Sequence, residues 1–142
     1  MQQKIVIIGA TSAMAEHCAR LWVTESPKSM ILLGRDQVKT ERIAQDLRVR
    51  SQQTSITVDT TDFMDPASIC KWVDHICSKG VPDIVLIAHG SLPIQEECQQ
   101  DLLQNQQVLL LNGISPVLFA EAFIGHMEKA NKGKLAMIGS VA

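Results

Sequence analysis

The chain has 142 residues, of which 46% are hydrophobic and 20% are charged, and its formal net charge is −2. This length predicts one domain with a buried core, and the near-neutral charge gives no electrostatic reason to expect nucleic acid or an anionic membrane surface as a partner. No unbroken apolar run approaches the ~20 residues of a membrane-spanning helix, and the chain enters a strand directly, so we expect neither a transmembrane segment nor a signal peptide.

The four cysteines predict a reduced, cytoplasmic protein without a metal site. They are Cys18, Cys70, Cys77 and Cys98, and none forms a C-x-x-C pair. Because Cys70 and Cys77 are seven residues apart, both are expected on one helix face as small buried side chains.

Five short apolar runs alternate with amphipathic segments along the chain. The predicted strands are Ile5–Ile8, Met30–Leu33, Ser55–Val58, Ile84–Ile87 and Leu135–Ile138. The predicted helices cover residues 13–25, 37–50, 66–79 and roughly 98–130. Nearly continuous Ile, Val, Leu and Met are typical of strands buried on both faces of a parallel sheet. Asp65 and Pro66 form an N-cap and first-turn pair, and Gly80 ends the third helix.

This alternation predicts an α/β fold with a doubly wound, Rossmann-type parallel sheet. Right-handed strand–helix–strand units give the expected strand order 3-2-1-4-5. Residues 1–142 are then one nucleotide-binding domain, with its ligand at the switch point between the first and fourth strands.

The stretch "GATSAMAE" follows the first strand and opens a helix, as a phosphate-binding turn does. Gly9 allows the sharp turn, small residues allow a close backbone approach, and hydroxyl groups add hydrogen bonds. The candidate cofactor-binding residues here are Gly9, Thr11, Ser12, Ala13, Met14 and Ala15. Only one glycine is present where such turns usually carry three, so a tight turn without a ligand remains the alternative.

The second strand ends in "LLGRD", which favours NADP(H) over NAD. In dinucleotide folds an acidic residue at this strand tip accepts the ribose hydroxyls of NAD. Gly34 occupies that place and Arg35 follows it, so the 2′-phosphate of NADP meets a guanidinium instead of a carboxylate. Asp36 is expected to cap the next helix. The alternative for Arg35 is a solvated turn residue.

The third and fourth strands end in further candidate ligands. After the third strand, Asp59 would accept a hydrogen bond from an adenine amino group, Thr60 is a further candidate for cofactor binding, and Asp62 is interpreted as a turn residue. After the fourth strand, the small residues Ala88 and Gly90 let the backbone approach a ligand. His89 lies between them and is interpreted as positional, with no role in proton transfer.

In this order the motifs resemble the short-chain dehydrogenase/reductase family over the whole chain. "GATSAMA" stands at the glycine motif, "IAHG" where the family has Asn-Asn-Ala-Gly, "LLLNGISP" at the catalytic asparagine and "KLAMIGSVA" at the strand before the catalytic serine. "GATSAMAE", "LRVR", "IAHGSLP" and "NGIS" together are similar to a narrower branch, the decaprenylphosphoryl-2-keto-ribose reductases and related cell-envelope glycan enzymes.

The resemblance implies catalytic roles for Asn112 and Ser140. Ser140 would donate a hydrogen bond to the reacting oxygen, and the carbonyl of Asn112 would hold a water of the proton relay. Pro116, four residues later, has no N–H for that carbonyl. The family's Tyr-x-x-x-Lys pair should follow the serine, but the chain ends at Ala142 and has no tyrosine. We therefore expect the N-terminal part of a longer enzyme, truncated after the fifth strand and inactive alone.

The implied function is NADP(H)-dependent hydride transfer to or from a carbonyl or secondary alcohol. The expected partners are a small-molecule substrate, with a lipid-linked sugar among the candidates, and further copies of the chain in a homo-oligomer. A non-catalytic dinucleotide sensor is the main alternative, and an interaction protein that uses the open sheet edge is a third.

Overall fold

The computed structural model describes residues 2–26 and 28–140. The strands are β1 Gln3–Ile8, β2 Lys28–Leu33, β3 Ser55–Asp59, β4 Ile84–Ile87 and β5 Lys134–Met137. The α-helices are α1 Ala13–Glu25, α2 Gln37–Arg50, α3 Pro66–Ser78, α4 Gln95–Gln100, α5 Leu102–Leu109 and α6 Ser115–Ala130, and a π-helical segment, Leu110–Ile114, joins the last two.

The five strands form one sheet in the order β3-β2-β1-β4-β5, and every neighbouring pair is parallel. The predicted fold class and strand order are therefore confirmed. Ile5 in the central strand pairs with Met30 on one side and with Ile84 on the other. The ends of β1 and β4 thus lie side by side where the chain reverses its winding direction.

Two apolar clusters cover the two faces of the sheet, which explains why the central strands carry almost no polar residues. On one face the strands pack against α3 and α6, with Phe63, Phe119 and Phe123 nearly or completely buried. On the other face they pack against α1 and α2, through small residues such as Ala15 and Ala44. Burial of both faces stabilises the sheet as a central layer.

Helix starts follow the predicted capping chemistry. The Asp36 carboxylate accepts a hydrogen bond from the Lys39 N–H at 3.0 Å, so α2 begins at the predicted residue. The Asp65 carboxylate accepts one from the Ser68 N–H at 2.9 Å, and Pro66 occupies the first turn of α3. These side chains satisfy amide groups that have no acceptor within the helix.

The predicted helix over roughly 98–130 is interrupted in the structure. At Asp101 the carboxylate accepts from the N–H groups of Leu103 and Gln104, at 3.0 and 3.2 Å, and so begins a new helix. The π-helical segment follows, in which the Ser115 N–H donates to the Leu110 carbonyl. Pro116 is the second residue after this segment, and its missing N–H favours the wider turn before it.

The expectation about the cysteines is wrong for Cys70. Cys77 and Cys98 are buried, but Cys70 is exposed and its thiol lies 3.7 Å from the Asp74 carboxylate. The buried face of α3 passes through Ile69 and Val73, so Cys70 lies just beside that face.

Among the residues that the structure describes, one helical segment is long and apolar enough to cross a membrane, by length and composition alone. Leu102–Ala130 has 29 residues and a mean hydropathy of 1.8 over its most apolar window, of which 28% is buried. The sequence-based expectation of no transmembrane segment considered only unbroken apolar runs. Polar residues interrupt this segment, but its mean hydropathy stays high enough to meet the criterion for a membrane-spanning helix. Core helices of globular domains meet the same criterion, and Phe119 and Phe123 of this segment are fully buried in the fold.

Candidate functional site

A cavity of about 310 Å³ opens at the carboxyl ends of the central strands. It is lined by Gly9, Thr11, Ser12, Arg35, Asp36, Lys39, Phe63, Ala88, His89 and Gly90. Seven of these were predicted as cofactor-binding residues from sequence, and they come from three separate loops. The structure therefore brings the predicted turn, the tip of β2 and the loop after β4 to one place.

Gly9 lets the chain turn tightly beneath this cavity. Its φ is +80°, and a Cβ here would lie 2.6 Å from the His89 Cα, so no side chain fits. Its N–H and that of Ala10 donate to the Leu33 carbonyl at 2.8 and 3.1 Å, which fixes the turn against β2. The missing Cβ therefore lets the loop after β4, at His89, approach the turn closely.

The first turn of α1 presents amide groups at the same end of the sheet. Ser12 is the N-cap residue, and its side chain makes no capping hydrogen bond. The N–H groups of the first turn, from Ala13 to Ala15, have no acceptor within the helix, and the helix dipole favours an anion there. The Ala15 side chain is fully buried in the core while Met14 is 60% exposed, so neither side chain lines the cavity. The geometry fits a pyrophosphate.

Two cationic side chains lie where β2 leads into α2. Arg35 is exposed and lines the cavity, as does Lys39, whose Nζ lies 3.9 Å from the Asp36 carboxylate. The predicted cap role of Asp36 is confirmed, because its other oxygen accepts the Lys39 N–H. The sequence reasoning did not include Lys39, although its position one turn after Arg35 was a signal that could have found it.

A second cavity of about 440 Å³ adjoins the first and shares Arg35 and Phe63 with it. Its other lining residues are Thr61, Asp62, Met64, Ser91, Gln104, Gln107, Val108 and Leu111. The mixture of apolar side chains and polar rim groups suits a flat heterocycle. None of these residues was a predicted site residue, although the turn role of Asp62 is observed, since its carboxylate accepts the Met64 N–H at 2.8 Å.

Asp59 and Thr60 lie at the end of β3 but line neither cavity. The Asp59 carboxylate accepts a hydrogen bond from the Trp72 indole N–H at 3.2 Å. Trp72 is largely buried on α3, so this bond holds the Asp59 side chain toward that helix. One carboxylate oxygen is thereby engaged, and Thr60 is exposed beside it.

His89 is a half-buried, neutral side chain in the wall of the first cavity. Its Nε2 lies 2.8 Å from the buried Ser115 hydroxyl, and its ring packs edge-on against Phe63 and Phe119. Its Nδ1 is buried and has no hydrogen-bond partner within residues 2–26 and 28–140. Burial, with a smaller effect from the positive charge of Arg35, lowers the pKa of His89 to about 4. These contacts are those of a positioning residue.

Asn112 joins the π-helical segment to the loop after β4. Its side-chain amide donates to the Ser91 carbonyl at 2.7 Å, and its side-chain oxygen accepts the Ser91 N–H at 2.8 Å. A Cβ on Gly90 would lie 3.3 Å from the same oxygen, which makes this a tight approach. Pro116 has no N–H to donate to the Asn112 carbonyl. The side chain therefore orients the loop and leaves that carbonyl without its usual helical donor.

Ser140 lies beyond the carboxyl end of β5, the neighbour of β4, and lines neither cavity. The last two residues of the "KLAMIGSVA" match, Val141 and Ala142, lie outside the described residues. Within residues 2–26 and 28–140, no group of three His, Cys, Asp or Glu side chains is arranged to hold a metal ion.

Comparison with known proteins supports one family across the chain. The short chain dehydrogenase family model matches residues 3–142. Dehydrogenase/reductase SDR family member 7B of Danio rerio is 25% identical over 99% of this chain and 47% of its own length. The Rattus norvegicus protein of the same name is 26% identical over 96% of this chain and 43% of its own length. The chain thus spans less than half the length of these curated relatives.

Solved structures share the fold at lower identity. A short-chain type dehydrogenase/reductase from Mycobacterium ulcerans has a TM-score of 0.84 and 20% identity, covering 100% of this chain and 53% of that one. A Sphingobium yanoikuyae short-chain dehydrogenase in complex with NADPH has a TM-score of 0.84 and 21% identity, covering 98% and 54%. The family model covers nearly the whole sequence, and the fold agrees with it. The chain therefore belongs to the short chain dehydrogenase family of oxidoreductases.

Proposed function

We propose that this chain is the NADP(H)-binding part of an oxidoreductase that transfers hydride to or from a carbonyl or secondary alcohol. The observation that carries the proposal is the position of Arg35, which lies in the walls of both cavities and directly follows Gly34, where NAD-binding folds carry an acidic residue. The Sphingobium yanoikuyae neighbour was solved with NADPH and a metagenomic short-chain oxidoreductase, with a TM-score of 0.84, was solved with NADP.

The first and second cavities each bind a different part of the dinucleotide in this proposal. The turn at Gly9 and the amide groups that open α1 bind the pyrophosphate. Arg35 binds the 2′-phosphate through charge-assisted hydrogen bonds. The second cavity takes the adenine between Phe63 and Leu111. The dinucleotide supplies the hydride, and the protein fixes its orientation and excludes water beneath it.

Ser140 and Asn112 carry the substrate side of the proposal. Ser140 donates a hydrogen bond to the substrate oxygen, on which negative charge develops during reduction. The Asn112 carbonyl holds a water that passes protons toward this oxygen. The short-chain dehydrogenase resemblance implies a tyrosine as the general acid, and the 142 residues contain none, so we propose that they give no turnover on their own.

We place the substrate among small carbonyl compounds and alcohols. The likeness of "GATSAMAE" and "IAHGSLP" to the cell-envelope glycan branch includes lipid-linked sugars among the candidates, and we propose a cytoplasmic enzyme. The lipid-linked sugar would be contradicted if the purified full-length enzyme reduced simple ketones faster than any carbonyl group carried on a sugar.

Calorimetric titration of the purified chain tests the cofactor assignment. We expect binding of NADPH and of 2′-phosphoadenosine compounds, and at least about tenfold weaker binding of NADH, because a hydrogen bond to a charged group contributes roughly 1.5–3 kcal/mol. Equal affinities for NADPH and NADH, or no binding of either, would overturn the cofactor assignment.

A steady-state kinetic assay of the purified chain tests the expected lack of turnover. Measurable turnover would show that a group other than tyrosine serves as the general acid.

A further inference from the structure

The tip of β2 is closed to side chains by a neighbouring residue. Gly34 is buried there, and a Cβ built on it would lie 3.2 Å from the Thr40 Cβ and 3.4 Å from its Cγ2, and would overlap its hydroxyl oxygen. Any residue other than glycine at position 34 therefore requires Thr40 to move.

Thr40 is firmly held in this place. It is fully buried, its hydroxyl donates to the Asp36 carbonyl at 2.7 Å, and its N–H donates to the same carbonyl at 3.0 Å. A β-branched side chain in a helix has few χ1 alternatives. Rotating it away from Gly34 would break the hydroxyl hydrogen bond inside a packed core.

Position 34 is also the place at which dinucleotide folds carry the acidic residue that accepts the ribose hydroxyls of NAD. We propose that Thr40 is a specificity-determining residue, whose side chain keeps position 34 free of a carboxylate. Among the described residues, the charged side chains in the first cavity's wall are then the cations Arg35 and Lys39 and the anion Asp36. The inference rests on the proposed function, because it states how this same site rejects NAD. Thr40 acts through position 34 and touches no ligand itself.

The test is a double-mutant cycle between these two positions in the 142-residue chain. Gly34→Ala and Gly34→Asp add the Cβ alone and the Cβ with a carboxylate. Each is made with Thr40, with Thr40→Ala, which removes the overlapping oxygen, and with Thr40→Val, which keeps the volume but not the hydrogen bond. Tm is measured for every variant, and Kd for NADP⁺ and NAD⁺ by calorimetry.

We expect Gly34→Ala and Gly34→Asp to lower Tm by about 5–10 °C, because overpacking a core strains it. Adding Thr40→Ala should recover most of that loss, whereas adding Thr40→Val should recover none. Gly34→Asp with Thr40→Ala should shift the ratio of the NAD⁺ and NADP⁺ affinities toward NAD⁺ by about tenfold or more. Gly34→Ala with Thr40→Ala, which adds no carboxylate, should leave that ratio unchanged.

Two results would overturn the inference while leaving the proposed function intact. One is a wild-type chain that prefers NADP⁺ together with a Gly34→Asp variant as stable as the wild type. The other is a double variant, Gly34→Asp with Thr40→Ala, that has the same ratio of NAD⁺ and NADP⁺ affinities as the wild type. A wild-type chain that binds neither dinucleotide would overturn the proposed function, and the specificity role of Thr40 with it.

Discussion

Arg35 and Arg42 offer a matched test of charge at the cofactor cavity. Arg35 lines both cavities, whereas Arg42 is exposed further along α2 and lines neither of them. Arg35→Ala should weaken NADP⁺ binding by about tenfold or more, because it removes a charge-assisted contact with the 2′-phosphate, and should leave NAD⁺ binding nearly unchanged. Arg42→Ala is the control, with the same change of net charge. If the two variants lost equal NADP⁺ affinity, the contribution of Arg35 would come from net charge and not from a direct contact with the 2′-phosphate.

The depressed pKa of His89 makes stability depend on pH in a defined window. The pKa is about 4 in the folded chain, against ~6.5 for an exposed histidine. The unfolded chain therefore binds this proton first as pH falls, so the free energy of unfolding decreases between pH 6.5 and 4 and is unaffected above that range. Discounted for the partial exposure of the ring, the loss is about 2 kcal/mol.

Denaturant unfolding at pH 7 and pH 4.5 measures this effect. His89→Gln should remove most of the difference between the two pH values, whereas His17→Gln, at an exposed position on α1, should keep it. The Asp46 carboxylate contributes little to this difference. Hydrogen bonds from Arg50 and Arg20 lower its pKa from 3.8 to about 2, so the stability it provides is lost mainly below pH 3.8. If the wild type and His89→Gln lose equal stability on acidification, the ring is protonated in the folded chain.

Single residues were predictable from sequence where their chemistry is local. The caps Asp36 and Asp65 follow from contacts within four residues along the chain. The Asp59–Trp72 hydrogen bond joins residues 13 positions apart, and the Asn112–Ser91 pair spans 21. No spacing rule encodes such pairs, because the strands and helices that bring them together must be placed first.

At the scale of elements, the clamp between Asn112 and Ser91 ties a helix to a loop. Asn112→Ala removes two hydrogen bonds, and we expect the free energy of unfolding to fall by about 1–2 kcal/mol. Amide hydrogen exchange at Ser91 should accelerate, because its N–H loses its acceptor. Gln106→Ala, on the exposed face of α5, is the control and should change neither. Unchanged protection at Ser91 would mean that the loop is held by other contacts.

The strands and the first three helices were predicted to within two residues, because both-face burial and capping are written in the local pattern. The long helix was not, because its interruption depends on Asp101 accepting two amide groups and on the wide turn before Pro116. Apolar residues continue through both features, so hydrophobic periodicity alone joins the pieces.

At the scale of the whole molecule, apolar side chains remain exposed on the last helix and the last strand, α6 and β5, which we call the α6–β5 side. Val117 and Ile124 on α6 and Met137 on β5 are 52%, 45% and 45% exposed. Among the described residues β5 pairs only with β4, so its other edge carries unpaired backbone groups. We expect self-association through this side, visible by light scattering at ~100 μM as a species heavier than the 15.6 kDa monomer.

Ile124→Asp should shift the association to higher concentrations, because it places a charge on the α6–β5 side. Val49→Asp provides the control, since Val49 is 85% exposed on α2, which covers the other face of the sheet. A wild-type chain that stays monomeric throughout the dilution series would contradict the prediction.

The wall of the cofactor cavity divides into two kinds of residue, and the division constrains how such a site can evolve. Phe63 and His89 belong to the packed interior, through ring contacts with each other and with Phe119, so exchanging them alters folding and binding together. Arg35 and Lys39 are solvent-exposed at the rim, where substitutions usually change stability little. Single substitutions at the rim can therefore change the charge of the cavity, and with it cofactor binding, with little effect on stability. A change in the shape of the cavity requires compensating changes in the core.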